Sequence, residues 1–221
     1  MNITLLIVAI ILAYLAGSFP TGLIVGKLFF GADPREQGSK ATGATNMLRV
    51  FGAKAAIPVA IVDVGKGALA VAITTWVGAT SGLPREALQV MGAVAAMVGH
   101  VFPIFAGFRG GKGVATAAGA LIVMAPVAVI FCALGFLLVV GLTGIVSAAS
   151  ITAAIVLPVA IALGAQGVPP NIWLLGFGIA VALFIVFTHR ANIGRIFRGE
   201  EKAFEKFRFL RRRRGGDGHG G

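Results

Sequence analysis

Glycine, lysine, arginine and histidine gather in three polar stretches, 33–54, 107–113 and 188–202, of a chain that is otherwise almost continuously apolar. Each stretch sets Gly beside Lys or Arg. Glycine lets backbone N–H groups come close to a ligand, and a neighbouring cation adds charge, so the pattern suits an anion, phosphate above all. In the first stretch Gly38 and Gly43 permit left-handed backbone and close approach. Thr45 or Asn46 is placed to cap a helix starting near Met47, and Arg49 offers a two-pronged donor for phosphate oxygens.

The second stretch contains Gly107 and then Gly110-Gly111-Lys112-Gly113. It is no nucleotide-binding P-loop: three residues separate Gly107 from Gly111 where that motif has four, and Gly113 stands where Ser or Thr would hold magnesium. What remains is a glycine-flanked lysine at a helix start, a point-charge partner for phosphate. In the third stretch His189, Asn192 and Arg195 recur at i, i+3 and i+6, which predicts one helical face turned to the same anion. No metal-ligand pattern accompanies them, so neither metal nor cofactor is expected.

The elements that must position these residues are membrane helices. A hydrophobic content of 57%, with 12% charged residues, is too apolar for a water-soluble domain of 221 residues. The net charge of +11 lies in loops between apolar runs rather than on a solvated face, which excludes a nucleic-acid binder. Cys132 sits in an apolar run with no disulfide partner in the chain. The N-terminal apolar run lacks a basic leader and a cleavage site, and is read as a retained span.

Apolar runs at 3–30, about 55–77, 87–106, 114–141, 145–164 and 172–187 predict an all-α membrane bundle, the first run kinked at Gly17-Ser18-Phe19-Pro20. Arg35, Lys40, Arg49, Lys54, Arg109, Lys112 and the cations from Arg190 onward put all three polar stretches on the cytoplasmic side, with the N-terminus outside and the C-terminus cytoplasmic. The chain must then run from an internal Lys112 to an external Gln166 by an odd number of crossings. Roughly 50 residues are too many for one, at about 1.5 Å of rise each. Breaks at Pro126 and at Gly141-Leu142-Thr143-Gly144 therefore predict three short crossings, seven in all, and return Ser147 to the cytoplasmic side. The alternative has five spans, with one long tilted helix and a re-entrant piece. A single transmembrane domain, 1–210, precedes a basic, glycine-rich tail, 211–221, whose arginines suit anionic headgroups.

Several separated motifs agree in order along nearly the whole chain: Gly17-Ser18-Phe19-Pro20-Thr21-Gly22, Gly38-Ser39, Gly43-Ala44-Thr45-Asn46 with Leu48-Arg49, Asp63 with Lys66-Gly67, Gly99-His100 with Phe102-Pro103, Gly110-Gly111-Lys112-Gly113, and His189, Asn192-Ile193 and Arg195. Together they resemble the PlsY family, bacterial acyl-phosphate:glycerol-3-phosphate acyltransferases. The resemblance implies transfer of a fatty acyl group from acyl phosphate to the 1-hydroxyl of sn-glycerol 3-phosphate, at the cytoplasmic face of the inner membrane and by a monomer. It further implies catalytic roles for Ser39, Arg49, Lys112, His189 and Asn192. Substrate contacts fall to Gly43, Thr45, Asn46, Gly110, Gly111, Gly113, Ser147 and Arg195. The chain departs from the family at Lys40-Ala41, where Gly-Asn is usual, and at Gly144-Ile145, where Arg-Tyr is frequent.

An acyl phosphate is already activated, and three histidines with one membrane aspartate assemble no Ser-His-Asp constellation. Direct attack by the glycerol hydroxyl, helped by positioning and charge, is the expected route, with the departing phosphate or His189 taking the proton. Asp63 and Lys66 share a helical face and neutralise each other. Two rivals use the same residues differently. A transporter or channel for an anionic solute would exploit the break at 17–22, and a structural protein would use Gly22-x-x-x-Gly26 for helix packing.

Overall fold

The structure, a computed structural model, describes residues 2–165 and 171–209. The loop around Gln166 and the tail 211–221 lie outside the described residues. Ten α-helices follow in chain order: α1 Ile3–Ser18, α2 Thr21–Phe30, α3 Ala44–Phe51, α4 Ala53–Val77, α5 Arg85–Val101, α6 Val114–Met124, α7 Pro126–Thr143, α8 Val146–Ala162, α9 Ile172–Thr188 and α10 Arg190–Phe197. There is no strand among the described residues.

Large side chains point outward and small ones inward. On α1, Ile3, Ile7 and Ile11 are each about half exposed, while Ala9, Ala13 and Gly17 are buried. An outer surface of this kind would aggregate in water and is at home in lipid, where close packing of small residues replaces the hydrophobic effect between helices. The stretches Ile3–Phe30, Ala53–Ser81, Arg85–Ala106 and Pro126–Thr143 are each long and apolar enough to cross a bilayer. α9 meets α10 at a 62° bend, and α6 and α8 are shorter apolar helices. The break at Ala125-Pro126 and the left-handed Gly144 (φ 74°) divide 114–162 into the three helices expected.

Backbones touch where glycine permits it. A Cβ on Gly67 would stand 2.0 Å from the carbonyl oxygen of Thr116, and one on Gly119 1.8 Å from that of Val64, so α4 and α6 cross with no side chain between them. Gly17 and Gly99 bring α1 and α5 together in the same way, with carbonyl oxygens of Ala96 and Tyr14 at 2.3 Å. Gly22 and Gly26 have a different partner from the one their spacing suggests. Missing Cβ atoms there face the carbonyl oxygen of Thr42 at 1.8 Å and Pro34 Cδ at 2.8 Å, so α2 seats the first polar loop rather than another helix.

The break between α1 and α2 is sealed from α4. Helix α1 stops before Phe19-Pro20, and Lys66 Nζ donates to the Phe19 carbonyl at 3.2 Å. The same ammonium lies 2.8 Å from Asp63 Oδ1, as the shared helical face predicts, and His100 Nδ1 joins them at 3.6 Å from that oxygen. All three side chains are buried. The break at 17–22 that the transporter reading would exploit is closed by the Asp63–Lys66 ion pair and its bond to Phe19.

Two glycines two residues apart on α4 make opposite predictions. Nothing lies within 4 Å of a Cβ at Gly65, so Gly65→Ala raises thermal stability in detergent by the helix-propensity difference, about 1 kcal/mol. Gly67→Ala drives its methyl into the Thr116 carbonyl and lowers stability by about 1–3 kcal/mol. Equal unfolding temperatures for the two variants would contradict the close α4–α6 crossing.

Candidate active site

An α-helix begins with N–H groups that its own backbone cannot satisfy, and a side-chain cap normally takes one of them. Among the described residues eight of the ten helices start without such a cap, and three of these starts come together: α3 after Gly43, α6 after Gly113 and α8 after Ile145. All three starts line one cavity of about 210 Å³. Positive ends of three helix dipoles thus face one small space.

Helix α3 begins at Ala44 rather than near Met47, and neither Thr45 nor Asn46 caps it. Gly43 is not left-handed as expected, with φ −76°. Its missing side chain meets no protein atom within 4 Å, which leaves the space in front of α3 open. Asn46 turns back into the preceding loop: Oδ1 accepts from the Ser39 N–H at 2.7 Å, and Nδ2 reaches the carbonyls of Pro34, Gln37 and Ala41 at 2.8, 3.2 and 2.8 Å. Its side chain holds the loop, with both Nδ2 hydrogens engaged by loop carbonyls. Ser39, with its N–H so occupied, lines the cavity.

Of the residues expected at the site, Ser39, Gly43, Thr45, Asn46, Arg49, Lys112, Gly113, Ser147, His189 and Asn192 line the cavity. Gly110 and Gly111 do not; they pack beneath it. A Cβ on Gly110 would stand 2.0 Å from the His100 carbonyl oxygen, and one on Gly111 2.1 Å from His100 Nε2. The Gly111 N–H donates to that same carbonyl at 3.1 Å. The two glycines let the loop lie flat on the end of α5 and lift Lys112 into the cavity. His100, quoted in the motif without a role, is the platform beneath them, and Asp63 faces its Nδ1 from α4 at 3.6 Å.

Lys112 Nζ donates to Asn192 Oδ1, and Thr188 Oγ1 donates to the Lys112 carbonyl at 3.1 Å, tying the second and third polar stretches together. Burial pushes the Lys112 ammonium down to about 8; Glu201 opposes that shift, while the charges of Arg195 and Arg49 add to it. His189, the residue after α9, is buried with Nδ1 2.8 Å from the Ile185 carbonyl. That contact requires the proton on Nδ1 and leaves Nε2 as the acceptor. Burial first, then the Lys112 charge, lowers its pKa to about 4, so the ring is neutral at ordinary pH.

The sequence assigned no role to Glu201, and it lies at the hub of the site. Gly199 (φ 69°) reverses the chain after α10, and the Glu200 N–H donates to the Arg195 carbonyl at 2.8 Å. Glu201 then folds back, where Oε1 accepts from Ser147 Oγ at 2.8 Å and Asn192 Nδ2 at 2.6 Å, and Oε2 from Arg195 Nε at 2.6 Å. Burial works to raise its pKa, but the hydrogen bonds from Asn192, Ser147 and Arg195 and the arginine charge outweigh it and keep the carboxylate ionised. Arg195 therefore acts on the cavity through Glu201 rather than from its wall. Past Glu201 the chain crosses α7 and α8, with the Phe204 and Phe209 N–H groups bonded to the carbonyls of Gly144 and Gly141 at 2.8 and 2.7 Å, and the Phe204 ring 5.4 Å from the Arg49 guanidinium.

Val114, Ala118, Phe136 and Val146 give part of the cavity wall an apolar lining. Such a site can hold both a phosphate and a hydrocarbon chain. Among the described residues no three His, Cys, Asp or Glu side chains gather as metal ligands.

A sequence model of the glycerol-3-phosphate acyltransferase family matches residues 7–199. The chain is 42% identical over 216 residues to a glycerol-3-phosphate acyltransferase of Chlorobaculum tepidum, covering 87% of this chain and 93% of the relative. It is 42% identical over 194 residues to one from Synechococcus elongatus, with 86% and 90% covered. Its fold is similar to that of PlsY, an integral membrane glycerol 3-phosphate acyltransferase, solved in its glycerol 3-phosphate form: TM-score 0.79 and 34% identity, over 90% of this chain and 95% of that one. The lysophosphatidic acid form gives 0.76 and 33%. With matches spanning nearly its whole length, the chain belongs to the glycerol-3-phosphate acyltransferase family.

Proposed function

We propose that this protein acylates the 1-hydroxyl of sn-glycerol 3-phosphate with a fatty acyl group taken from acyl phosphate, releasing lysophosphatidic acid and inorganic phosphate for phospholipid synthesis. The observation that carries the reading is the meeting of three uncapped helix starts, Lys112 and Arg49 around a cavity that also has apolar lining. Such a lining suits the acyl chain, and the amides and cations suit phosphate on both substrates. The protein acts as a monomer in the bacterial inner membrane, with the site towards the cytoplasm. Meeting of the three polar stretches at one cavity supports one common side for them.

In the reaction the glycerol hydroxyl oxygen attacks the acyl carbon, the new ester C–O bond forms, and the bond to the phosphate oxygen breaks. Lys112 and Arg49 stabilise the charge that collects on the departing phosphate, and the amides at the starts of α3 and α6 share it. We assign the proton to the departing phosphate, because burial and the neighbouring Lys112 charge hold the pKa of His189 down at about 4 and make it a poor base. Neutral His189 accepts a hydrogen bond from a substrate hydroxyl through Nε2. Glu201 keeps Asn192 and Ser147 in place, and Asn192 in turn orients Lys112.

Purified protein given acyl phosphate and glycerol 3-phosphate releases phosphate and forms lysophosphatidic acid, and acyl-CoA does not replace the donor. Equal turnover with acyl-CoA would refute the donor assignment. Lys112→Ala and Arg49→Ala each lower kcat/KM about 100-fold or more, the usual loss when a charge-stabilising donor is removed; near-native turnover in either would remove that residue from the site. Ser39→Ala loses most activity through weaker phosphate positioning, and capture of an acyl-Ser39 ester would overturn direct attack.

Lys112 also sets a pH limit. Only its ammonium form attracts a phosphate, and that form disappears as pH rises through about 8. The kcat/KM of the wild type therefore falls above about pH 8, while Lys112→Arg, always charged, keeps its lower activity level to higher pH. A wild-type profile flat to about pH 10 would contradict the buried ammonium.

A further inference from the structure

Only two non-glycine residues among those described occupy the left-handed region of backbone space, Lys40 at φ 57° and Phe108 at φ 59°. A side chain is strained in that region and glycine is not. At residue 40 the conformation is imposed by the neighbours. Asn46, 1% exposed, holds the Ser39 N–H on one side and the carbonyls of Gln37 and Ala41 on either side, while the Lys40 N–H donates to the Gln37 carbonyl at 3.0 Å. Strain held in place by its surroundings collects where it serves a function.

What the position gives its side chain is a place in a second cavity. This cavity, about 270 Å³, adjoins the first and shares Ser39, Arg49 and Glu201 with it; Lys40, Arg195 and Lys202 supply the rest of its cations. Its two acids are already engaged, Glu200 by Arg198 at 2.8 Å and Glu201 by Arg195 at 2.6 Å. Among the described residues, Lys40, Arg49 and Lys202 have no carboxylate within 4.0 Å. The outer cavity therefore has spare positive charge, polar walls and a shared boundary with the reaction cavity at Arg49 and Ser39. It lacks the apolar wall an acyl chain would need.

We infer that Lys40 is an additional binding residue of this protein, which holds the phosphate of the water-soluble acceptor in the outer cavity before that phosphate reaches Arg49 and Ser39. The inference rests on the acyl-transfer reading for the identity of the acceptor. Lys40 is also the position at which the chain carries a cation where the resembled family usually has glycine, so strain and charge arrive together at this residue.

Two variants test it, Lys40→Gly and Lys40→Arg, with Lys54→Ala as a control at an exposed lysine outside both cavities. Glycine relieves the left-handed strain, so Lys40→Gly folds and its melting temperature rises. Its KM for glycerol 3-phosphate, and its Kd for glycerol 3-phosphate by calorimetry without acyl donor, both rise about three- to fivefold at low ionic strength. The difference shrinks at high salt, kcat and the KM for acyl phosphate stay at wild-type values, and Lys40→Arg behaves as wild type. Unchanged acceptor KM and Kd in Lys40→Gly at low salt would overturn the inference, as would a fall in kcat alone. Weaker inhibition by inorganic phosphate with unchanged acceptor binding would overturn it too, by assigning the lysine to the product. Wild-type protein that binds glycerol 3-phosphate without turnover would defeat the acyl-transfer reading, and the calorimetric comparison would still decide the role of Lys40.

Discussion

The unsatisfied N–H groups at a helix start must find a partner, and at the three starts that line this cavity the protein supplies none from a side chain. Gly43 and Gly113 carry no side-chain oxygen to offer, and Ile145 offers only hydrocarbon. Each omission would be a modest defect alone, about 1 kcal/mol for a missing cap. Placed around one cavity they become a common preference for a bound anion. Lys112 and Arg49 strengthen that preference, and Glu201 offsets part of it while it orders Asn192 and Ser147. Phosphate chemistry at this site follows from what the helices lack as much as from the charges they carry.

Convergence of three starts demands close control of helix position, and the glycines provide it. Val64 and Thr116 carbonyls fill the places where side chains at Gly119 and Gly67 would be, which sets α6 against α4 at backbone distance. On α6 the consequence is a fixed height for Gly113 and the lysine before it. The first polar loop is seated in the same manner on Gly22 and Gly26 and then clamped by Asn46. Buried charge plays a supporting part. Lys66 satisfies both Asp63 and the broken end of α1, and Asp63 faces His100 below the glycine loop. Losing one partner of this group would leave an uncompensated charge in the interior.

Much of this was legible in the sequence. Polar stretches containing Ser39, Arg49, Lys112, His189 and Asn192 stood out because lipid-facing helices have no use for them, and Pro126 and Gly144 marked breaks because neither residue type continues a helix easily. Asp63 and Lys66 followed from their spacing. Glu201 was hidden for a physical reason: its place depends on a reversal at Gly199 and on a partner, Ser147, distant in the chain, so no local periodicity announces it. Asn46 looked like a cap because it stands near a helix start, yet its side chain turned backwards to serve four backbone groups. Gly110 and Gly111 looked like phosphate ligands; their lack of a side chain is instead spent on His100. Helix contacts of this kind are properties of the assembled bundle rather than of any one stretch.

The central claim is that the starts of α3, α6 and α8 serve one anion together. Hydrogen exchange read at the amides of Ala44 and Thr45, Val114 and Ala115, and Val146 and Ser147, with and without glycerol 3-phosphate, tests it directly. The account predicts that all three pairs gain protection over the same ligand concentration range. Protection confined to one helix start, or absent from all three at saturating ligand, would contradict it.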